Sequence, residues 1–509
     1  MSQRSGPSDE PTTDFDSEPQ LSEVEKKLGG VPREPARNAN FNNYHVAFVA
    51  ALGGLLYGYD TGVISGTLIQ IAADFGIEDQ GSILGMTVPG HNIQEMITAA
   101  ILLGAVIGAL SAGPFANRFG RRWTIITVAI IFAVGVILAG VSPDPLTMIG
   151  SRLFLGLAVG GCTQTIPTYI AELSPPDKRG GLVTFFNVAI GVGILTAALV
   201  NVIFADVVWH WKIIIAVIPA VILIIGMIPL PESPRWLVNH RFLNAARMVL
   251  RWVRPSGKEA DREVREIQRI VKMEEASSKG AWAAMGEKWI RPALIAGISV
   301  AIFTQITGLE MMIYYTPRIL TDAGFAPELS LWANVGVGVV YLVMTTTGKF
   351  IVDKVGRRRL TLIMLPGAAV SIAAFGLVFL IMDKPNPVLA MTLLLLFMFF
   401  QAGGIQVVGW LMGSELYPLK IRSAATGLHA AALWGSNLII TITALTLVEA
   451  LTLGGAMLVY AALNVIAWLV VYFRVPETKG RPLEEIEESL KDGTFLPKDQ
   501  KRIAEESTT

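Results

Sequence analysis

The sequence has little charge and almost no cysteine. Only 16% of its 509 residues are Asp, Glu, Lys or Arg, whereas soluble domains contain about 25%. The formal net charge is zero, so overall charge gives no reason to expect nucleic-acid binding. The single cysteine, Cys162, excludes an internal disulfide and a cysteine-cluster metal site. The five histidines form no metal-spaced group, and no nucleophile–base motif is present, so we expect no metal, no cofactor and no enzymatic activity.

Hydrophobic residues take the place of the missing charge and make up 52% of the chain. They occur in repeated apolar runs, each long enough for the roughly 20 residues that cross a bilayer as a helix. These runs predict an all-α membrane protein with about twelve transmembrane helices in two groups of six. The first group lies near residues 44–66, 93–115, 123–142, 146–172, 182–204 and 211–229. The second group lies near residues 292–319, 330–352, 360–382, 388–414, 424–446 and 453–473.

The predicted helices divide the chain into five regions. Residues 1–43 are polar and contain no apolar segment typical of a cleaved signal, which predicts a disordered tail. Two six-helix bundles follow, at residues 44–229 and 292–473. Residues 230–291 between them are rich in Arg, Lys and Glu with helix-like apolar spacing, which favours amphipathic helices on the membrane surface. Residues 474–509 form a second polar tail, in which we predict one amphipathic helix.

Basic residues predict the orientation of the chain. They are concentrated in loops that fall on one side if the helices alternate, whereas the opposite loops are nearly free of Lys and Arg. By the positive-inside rule, the basic loops, the central linker and both tails face the cytoplasm. We therefore expect a multi-pass protein of the plasma membrane with both termini cytoplasmic. The basic segments are NRFGRR, PPDKRGG, residues 235–291, DKVGRRR and PLKIRS.

Three short motifs occur twice, in the same order and at matching places in the two halves. The segment Asn117–Arg122 after the second helix matches Asp353–Arg358 after the eighth. The segment Glu172–Pro175 after the fourth helix matches Glu415–Pro418 after the tenth. PESPR ends the sixth helix and PETKG ends the twelfth. Such a repeat indicates two bundles related by an axis along the membrane normal, with a site between them near mid-bilayer.

The repeated motifs bring acidic and basic residues together at the cytoplasmic helix ends. Ion pairs between the halves, such as Glu172 or Glu415 with arginines of the motifs, are expected to close the cytoplasmic side and to release it when they break. The alternative is that these charges only fix the orientation of the chain. The predicted latch consists of Arg118, Arg121, Glu172, Arg179, Asp353, Arg357, Glu415 and Arg422.

Asp60, His91 and Glu95 are ionisable residues in or beside the first two predicted helices. Asp60 is the only charge in the apolar run 48–66. A carboxylate at the centre of a spanning helix costs roughly 2.5–3.5 kcal/mol on insertion scales, so its presence predicts a functional role. His91 and Glu95 begin the second helix near the outer face, where an influence on the pH response and a solvated helix start explain them equally well.

Eight groups of segments form a specific set that runs from about residue 44 to residue 488. They are GGLLYGYDTGVISG, GPFANRFGRR, GSRLFLGL with PTYIAELSPPDKRG, PESPRWL, QITGLEMMIYYTP, DKVGRRR, GSELYPLKIR and PETKGRPLEEIEE. With these segments the chain resembles the sugar porter branch of the major facilitator superfamily, in particular its fungal-like proton-coupled symporters. The resemblance implies the major facilitator fold, alternating access, a monomer, and sugars, polyols or close relatives as substrates.

The resemblance also implies a role for Asp60. This residue matches the aspartate that proton-coupled sugar porters carry in the first helix, and Arg152 matches the arginine at the start of the fourth helix that partners it. Desolvation favours the protonated carboxyl, whereas a nearby arginine favours the ionised form. Movement of Arg152 or entry of substrate is therefore expected to switch the protonation of Asp60. The alternative is a static buried ion pair that holds two helices together.

The chain departs from the hexose-transporting pattern at the substrate site that the resemblance implies. Asn187 and Thr304 stand where glutamines are usual, and Glu310 and Tyr341 stand where asparagines are usual. These changes favour a polyol, a pentose, a disaccharide or a modified sugar at least as much as glucose. For Glu310, an outward-facing position near the extracellular mouth is the alternative. The predicted substrate-binding residues are Asn187, Thr304, Gln305, Glu310, Tyr341, Gln406, Trp410, Trp434 and Asn437.

The leading functional hypothesis is a secondary active transporter that imports a sugar, a polyol or a related polyhydroxylated molecule together with protons. A facilitator or exporter of a small metabolite is the second hypothesis. A transporter-like nutrient receptor is the third, and it is disfavoured because residues 474–509 are too few for a dedicated signalling domain. The expected partners are the substrate, protons and the lipid bilayer, with no nucleic acid.

Overall fold

The structure, a computed structural model, describes residues 20–23, 25, 38–277, 281–382, 384–418, 420–481 and 483–499. Helices dominate it, because backbone N–H and C=O groups find no water in the apolar core of a membrane and must bond within their own segment. Six spans form the first half and six the second, which is the number that the apolar runs predict. Most of them extend several residues beyond the predicted ends, since polar residues outside the hydrocarbon layer continue the helices.

The spans are numbered here in chain order. Spans 1 to 5 are the helices Ala39–Asp74, Gly90–Phe119, Arg121–Gly140, Pro145–Leu173 and Arg179–Ile203. Three spans consist of two helices each: span 6 of Trp209–Ile214 and Val217–Met227, span 7 of Arg291–Ile306 and Leu309–Asp322, and span 10 of Pro387–Gly403 and Ile405–Glu415. Spans 8 and 9 are the helices Pro327–Val355 and Arg357–Ile381.

The helix Arg422–Arg474 supplies two spans. It has 53 residues, or about 80 Å at 1.5 Å per residue, which far exceeds the roughly 30 Å of a hydrocarbon core. Thr452 has φ 63° and ψ 166°, values outside the helical region, and breaks the helix. Residues 422–451 therefore form span 11 and residues 453–474 form span 12. With this division, the eleven long apolar helices among the described residues provide twelve spans.

A β-hairpin joins spans 1 and 2, where the sequence predicts only an outer loop. Strand β1, Gln80–Ile83, pairs antiparallel with strand β2, Met86–Pro89. Leu84 and Gly85 between them have φ values of 53° and 79°, as a two-residue type I′ turn requires. This turn lacks the usual Asn-Gly or Asp-Gly pair, which is why the hairpin escaped prediction. The face that carries it is called the hairpin side, and the opposite face, with the basic motifs, is called the basic side.

Span 1 packs on span 5 along a glycine seam. The seam consists of Gly54, Gly58, Gly62 and Gly66. These residues are four positions apart and therefore share one face of the helix. A Cβ atom on Gly58 would lie only 2.0 Å from the carbonyl oxygen of Ile190, so the two backbones approach this closely only because the side chains are missing. Asp60 lies on the opposite face of span 1 and is thereby turned towards span 4.

The interruptions of spans 7 and 10 contact each other. Span 7 breaks at Thr307 and Gly308, where Gly308 has φ 106°, and span 10 breaks at Gly404. The side chain of Gln401 donates to the hydroxyl of Thr307, and Asn464 of span 12 donates to the carbonyl of Thr307 at 2.9 Å. Broken helices persist in a membrane where protein groups take up the freed backbone bonds, and such breaks frame the substrate sites of many transporters.

Four helices lie in the described part of the region between the halves. They are Pro234–Asn239, Leu243–Val253, Gly257–Ser277 and Ala281–Ala284. Arg254 ties this region to the basic end of span 4, since its guanidinium donates to the carbonyls of Leu173 at 2.7 Å and Ser174 at 3.1 Å. Its remaining N–H groups pair with Glu263 at 2.6 Å. In the second tail, a short helix covers Leu483–Lys491.

The disorder predicted for residues 1–43 is wrong for part of that region. Span 1 already begins at Ala39. Glu25 is buried, and its carboxylate accepts a hydrogen bond from the N–H group of Ala245 at 3.0 Å. A carboxylate is stabilised at the start of a helix, here Leu243–Val253, and this contact explains why a polar segment docks there. Residues 1–19, 24 and 26–37 lie outside the described residues.

We predict that Gly58→Ala destabilises the protein and that Gly150→Ala does not. The first change places a methyl group against backbone atoms of span 5 that cannot move away, whereas a Cβ atom at Gly150 would meet no atom within 4 Å. Alanine is otherwise better than glycine in a helix by about 1 kcal/mol. Thermal unfolding of both purified variants in detergent measures the effect. Equal midpoints for the two variants would show that the seam is not tightly packed.

Candidate functional site

Asp60 and Arg152 form a buried ion pair between spans 1 and 4. The two carboxylate oxygens lie 3.4 Å from the two terminal guanidinium nitrogens, and the side chains are only 2% and 1% exposed. The Nε atom of Arg152 donates to the carbonyl of Ile97 in span 2 at 2.7 Å. A buried pair of this kind is stable only while both charges are present and hydrogen-bonded. Protonation of Asp60 therefore removes the partner that holds Arg152 in place.

Polar side chains from spans 7, 8, 10 and 11 gather on the other half of the molecule. Each is at most 7% exposed. The side chain of Asn437 hydrogen-bonds to Glu310, and its Oδ1 atom accepts the hydroxyl of Thr441 at 3.1 Å. The side chains of Tyr341 and Gln406 are also hydrogen-bonded to each other. The members of this central cluster are Gln305, Glu310, Tyr341, Gln406 and Asn437, all of which the sequence predicts as substrate-binding residues.

Two oxygen atoms of the central cluster have no hydrogen-bond partner among the residues that the structure describes. They are the Oε1 atoms of Gln305 and Gln406, in side chains that are 2% and 4% exposed. A buried polar atom without a partner costs about 1–3 kcal/mol, and native interiors contain few of them. Hydroxyl groups of a bound molecule would satisfy both oxygens. The cluster therefore has the properties of a binding site for a ligand rich in hydrogen-bond donors.

Aromatic residues join the central cluster to the first half. Tyr57 of span 1 packs edge-on against Trp434 of span 11, with ring centroids 5.6 Å apart. Trp434 is buried, whereas Trp410 of span 10 is half-buried. Tyr57 is not among the predicted site residues, although it lies three residues before Asp60 in the same motif. Its position is decided by the glycine seam, which turns this part of span 1 towards the second half.

Two predicted substrate-binding residues do not join the cluster. The hydroxyl of Thr304 donates to the carbonyl of Val300 at 2.7 Å, and its side chain packs against Gly409. Hydroxyls within helices often bond to their own backbone in this way, so Thr304 ties span 7 to span 10. Asn187 is exposed on span 5, one turn from Gly191, which packs against Leu342 of span 8.

The chain is similar over most of its length to known transport proteins. The family model described as "Sugar (and other) transporter" matches residues 46–490. The chain belongs to this sugar transporter family. The putative metabolite transport protein YwtG of Bacillus subtilis (strain 168) is 37% identical over 454 residues, which cover 89% of this chain and 96% of YwtG. The glucose transporter GlcP of Staphylococcus epidermidis is 36% identical and covers 89% of this chain and 98% of GlcP.

A solved structure supports the same relationship. The proton:xylose symporter XylE, bound to 6-bromo-6-deoxy-D-glucose, superposes with a TM-score of 0.75 at 28% identity, over 89% of this chain and 99% of XylE. XylE comes from E. coli and is a member of the major facilitator superfamily. The predicted fold of twelve spans in two bundles is thus confirmed. Since these three relatives are bacterial, similarity to fungal-like symporters in particular stays a prediction.

On the hairpin side, Glu95 fastens the two halves of this sugar transporter family member together. Its carboxylate accepts the backbone N–H of Thr446 in span 11 at 2.8 Å and the hydroxyl of the same residue at 2.6 Å. Asn92 accepts from that hydroxyl as well, at 3.1 Å. Glu95 is only 2% exposed. Of the two explanations that the sequence leaves open for Glu95, a solvated helix start is therefore wrong.

On the basic side, the ion pairs of the predicted latch form within each half. Arg121 pairs with Glu172 at 3.0 Å, and Arg357 pairs with Glu415 at 2.8 Å. The expectation that Glu172 and Glu415 pair across the halves does not hold in this structure. The reason is local geometry. Each arginine lies at the start of one span, and the glutamate it pairs with lies at the end of the neighbouring span of the same half. The number of residues between an arginine and a glutamate does not indicate whether the two pair within one half or across the halves.

The other predicted latch residues also make local contacts. Arg179 and Arg422 donate to the nearby backbone carbonyls of Ala171 and Tyr417. Asp353 pairs with Arg357 at 3.1 Å. Arg118 is exposed, and its guanidinium lies 5.4 Å from the ring centre of Phe119. In the first half, Asn117 occupies the position that Asp353 has in the second half. Its amide oxygen accepts a hydrogen bond from Arg121 at 3.2 Å.

A further glutamate in each half caps the span that follows the basic motif. Glu232 accepts hydrogen bonds from the backbone N–H groups of Arg121 at 2.8 Å and Arg122 at 3.2 Å. Glu477 accepts one from Arg357 at 2.8 Å. Burial raises the pKa of Glu232 to about 7, although these N–H donors and the charge of Arg121 oppose the rise. Acidification of the basic side below neutral pH therefore weakens the cap of span 3.

We predict that Glu95→Ala loosens the contact between spans 2 and 11. The change removes two hydrogen bonds to a charged acceptor, each worth about 1.5–3 kcal/mol. Amide hydrogen exchange around Thr446 should accelerate by about tenfold or more. Glu449→Ala is the matched control, because Glu449 is an exposed glutamate on the same span. Unchanged exchange in Glu95→Ala would mean that other contacts keep this side closed.

We predict that Glu172→Gln and Glu415→Gln destabilise the protein independently. Each change weakens an ion pair inside one half, and residues without shared partners have effects that add within about 0.5 kcal/mol. The double variant should therefore lower the thermal midpoint by the sum of the two single shifts. If the double variant is as stable as the less stable single variant, the second change has no further effect, which would indicate that the two glutamates act together across the halves.

Proposed function

We propose that the protein is a proton-coupled symporter that imports a sugar, a polyol or a related polyhydroxylated molecule by alternating access. The observation that carries this proposal is the buried Asp60–Arg152 pair beside a central cluster with unpaired oxygens. A group that exchanges a proton and a site for a donor-rich ligand thus lie on opposite halves of one molecule. The names of GlcP and XylE, a glucose transporter and a proton:xylose symporter, support the substrate class and the coupling ion.

In this proposal, Asp60 carries the coupling proton. With Asp60 ionised, Arg152 is held by its carboxylate and by the carbonyl of Ile97. When Asp60 takes up a proton, the attraction between the two side chains is lost, and Arg152 can reorient with spans 1 and 4. Release of the proton on the other side restores the pair. The proton is the only coupling ion, and no cofactor takes part.

The central cluster binds the substrate. Gln305 and Gln406 accept hydrogen bonds from hydroxyl groups, while Tyr341, Asn437 and Glu310 provide further polar contacts. Trp410 and Trp434 offer ring faces against which the apolar face of a sugar packs. Among the described residues, Asn187 and Thr304 form no hydrogen bond with this cluster, and their part in substrate binding stays a prediction.

The two sides of the molecule open in turn. On the hairpin side, the bonds of Glu95 to Thr446 hold the halves closed. On the basic side, the pairs Arg121–Glu172 and Arg357–Glu415 keep each half rigid. We propose that Arg118, Arg179, Asp353 and Arg422 complete the contacts that close this side in the opposite state. By the positive-inside rule, we propose that the basic side and both termini face the cytoplasm. We also propose that the protein is a monomer of the plasma membrane.

We predict that Asp60→Asn abolishes uphill transport but leaves downhill transport in place. The amide preserves the shape of the site yet cannot exchange the coupling proton. Purified protein in liposomes, with an imposed pH gradient, is screened with sugars and polyols for substrate-induced proton movement and for accumulation. Asp206→Asn is the control, because Asp206 is an exposed aspartate between spans 5 and 6.

The same assay separates the alternative functions. If Asp60→Asn still accumulates substrate against its gradient, proton coupling through Asp60 is refuted. If the original protein moves substrate only down its gradient, it is a facilitator. Accumulation of substrate in the direction opposite to proton movement would identify a proton-driven exporter, and binding without any transport would favour a nutrient receptor.

A further inference from the structure

Glu310 is a buried carboxylate without a cationic partner. It is 3% exposed, and among the described residues no Lys, Arg or His lies within ion-pair distance of it. The nearest arginine of the proposed mechanism, Arg152, is already bound to Asp60 and to the carbonyl of Ile97. When all three side chains are ionised, Asp60, Arg152 and Glu310 together carry one negative charge without compensation. An isolated charge at this depth is costly, and such residues usually have a partner.

Local groups nevertheless favour the ionised form of Glu310. The residue lies in the first turn of the helix Leu309–Asp322, which begins at the break of span 7. The start of a helix carries a partial positive charge that stabilises an anion. Asn437 also hydrogen-bonds to Glu310, and because its Oδ1 atom is occupied by Thr441, it presents its N–H groups to the carboxylate.

The surroundings of Glu310 are suited to a cation. Tyr57, Tyr314 and Tyr341 lie within electrostatic range of its carboxylate, and Tyr57 packs against Trp434. Ring faces attract ammonium groups, most strongly where water is excluded. The unpaired atoms of the cluster, Oε1 of Gln305 and of Gln406, are acceptors. An ammonium group has three donors and no acceptor, so it complements this arrangement better than a neutral hydroxyl does.

From these contacts we infer that the transported molecule carries a protonated amine next to its hydroxyl groups, and that Glu310 is its counter-ion. The substrate class is an amino sugar or an amino polyol. This inference rests on the proposed transport of polyhydroxylated molecules and adds the charge of the substrate to it. Glu310 thus determines specificity, while Asp60 determines coupling.

The test measures binding of matched pairs of compounds that differ by one amine. The pairs are D-glucosamine with D-glucose, D-galactosamine with D-galactose, and D-glucamine with D-sorbitol. Isothermal titration calorimetry on the purified protein gives the affinities, and uptake into liposomes shows which compounds are moved. In at least one pair the amine should bind about tenfold or more tightly than its neutral counterpart, as expected for a hydrogen bond to a charged group.

The Glu310→Gln variant decides whether Glu310 causes this preference. The variant should lose the preference for the amine, so that each amine and its neutral counterpart bind with similar affinities. The control variant Glu328→Gln, which changes an exposed glutamate near the start of span 8, should keep the preference for the amine. N-acetyl-D-glucosamine, which has the amine neutralised, should bind the original protein no better than D-glucose.

Several outcomes would overturn the inference. It fails if no amine binds more tightly than its neutral partner, or if the preference survives in Glu310→Gln. It also fails if Glu310→Gln changes only the number of protons moved with a neutral sugar, which would make Glu310 a second proton site. In each of these cases transport of neutral compounds still supports the proposed function. If no compound of the panel binds or moves, the inference is refuted, and the wider screen of sugars and polyols decides the proposed function.

Discussion

The salt bridge between Asp60 and Arg152 imposes conditions that the rest of the first half has to meet. Two charges removed from water remain stable only while they face each other and their other hydrogen bonds are made, and the carbonyl of Ile97 supplies one of these bonds. Spans 1, 2 and 4 must therefore keep a fixed register. The glycine seam holds span 1 from its other face, so close contact between backbones preserves a charge pair that lipid alone would not tolerate.

The second half meets a different constraint, because its spans 7 and 10 are interrupted. Each interruption frees backbone groups that lipid cannot satisfy. At the break of span 7, Asn464 donates to the carbonyl of Thr307, while Gln401 donates to the hydroxyl of the same residue. The same interruptions place Glu310 and Gln406 within a turn of a helix start. The first half thus provides a reversible charge pair and the second half provides unpaired acceptors, and Tyr57 and Trp434 form a contact between the two.

The length of the apolar runs and the rarity of charged residues within them explain what could be predicted from the sequence. The spans follow from apolar runs of bilayer length, and Asp60 is conspicuous because a charge in such a run is expensive. Contacts between distant segments could not be predicted in this way. Glu95 binds a residue 351 positions away, and no local pattern indicates this. Thr304 shows a second limit, because a hydroxyl on a helix serves a ligand or its own backbone according to its rotamer.

The break at Thr452 has a mechanical consequence for the whole second half. Spans 11 and 12 are joined there by a single non-helical residue and no loop, so neither can tilt at that end without displacing the other. Span 11 carries the contact with Glu95, and span 12 carries Asn464, which supports the interruption of span 7. Separation of the halves on the hairpin side therefore pulls on the backbone beside Glu310. Opening of the hairpin side and the shape of the central cluster are therefore linked through the connection at Thr452.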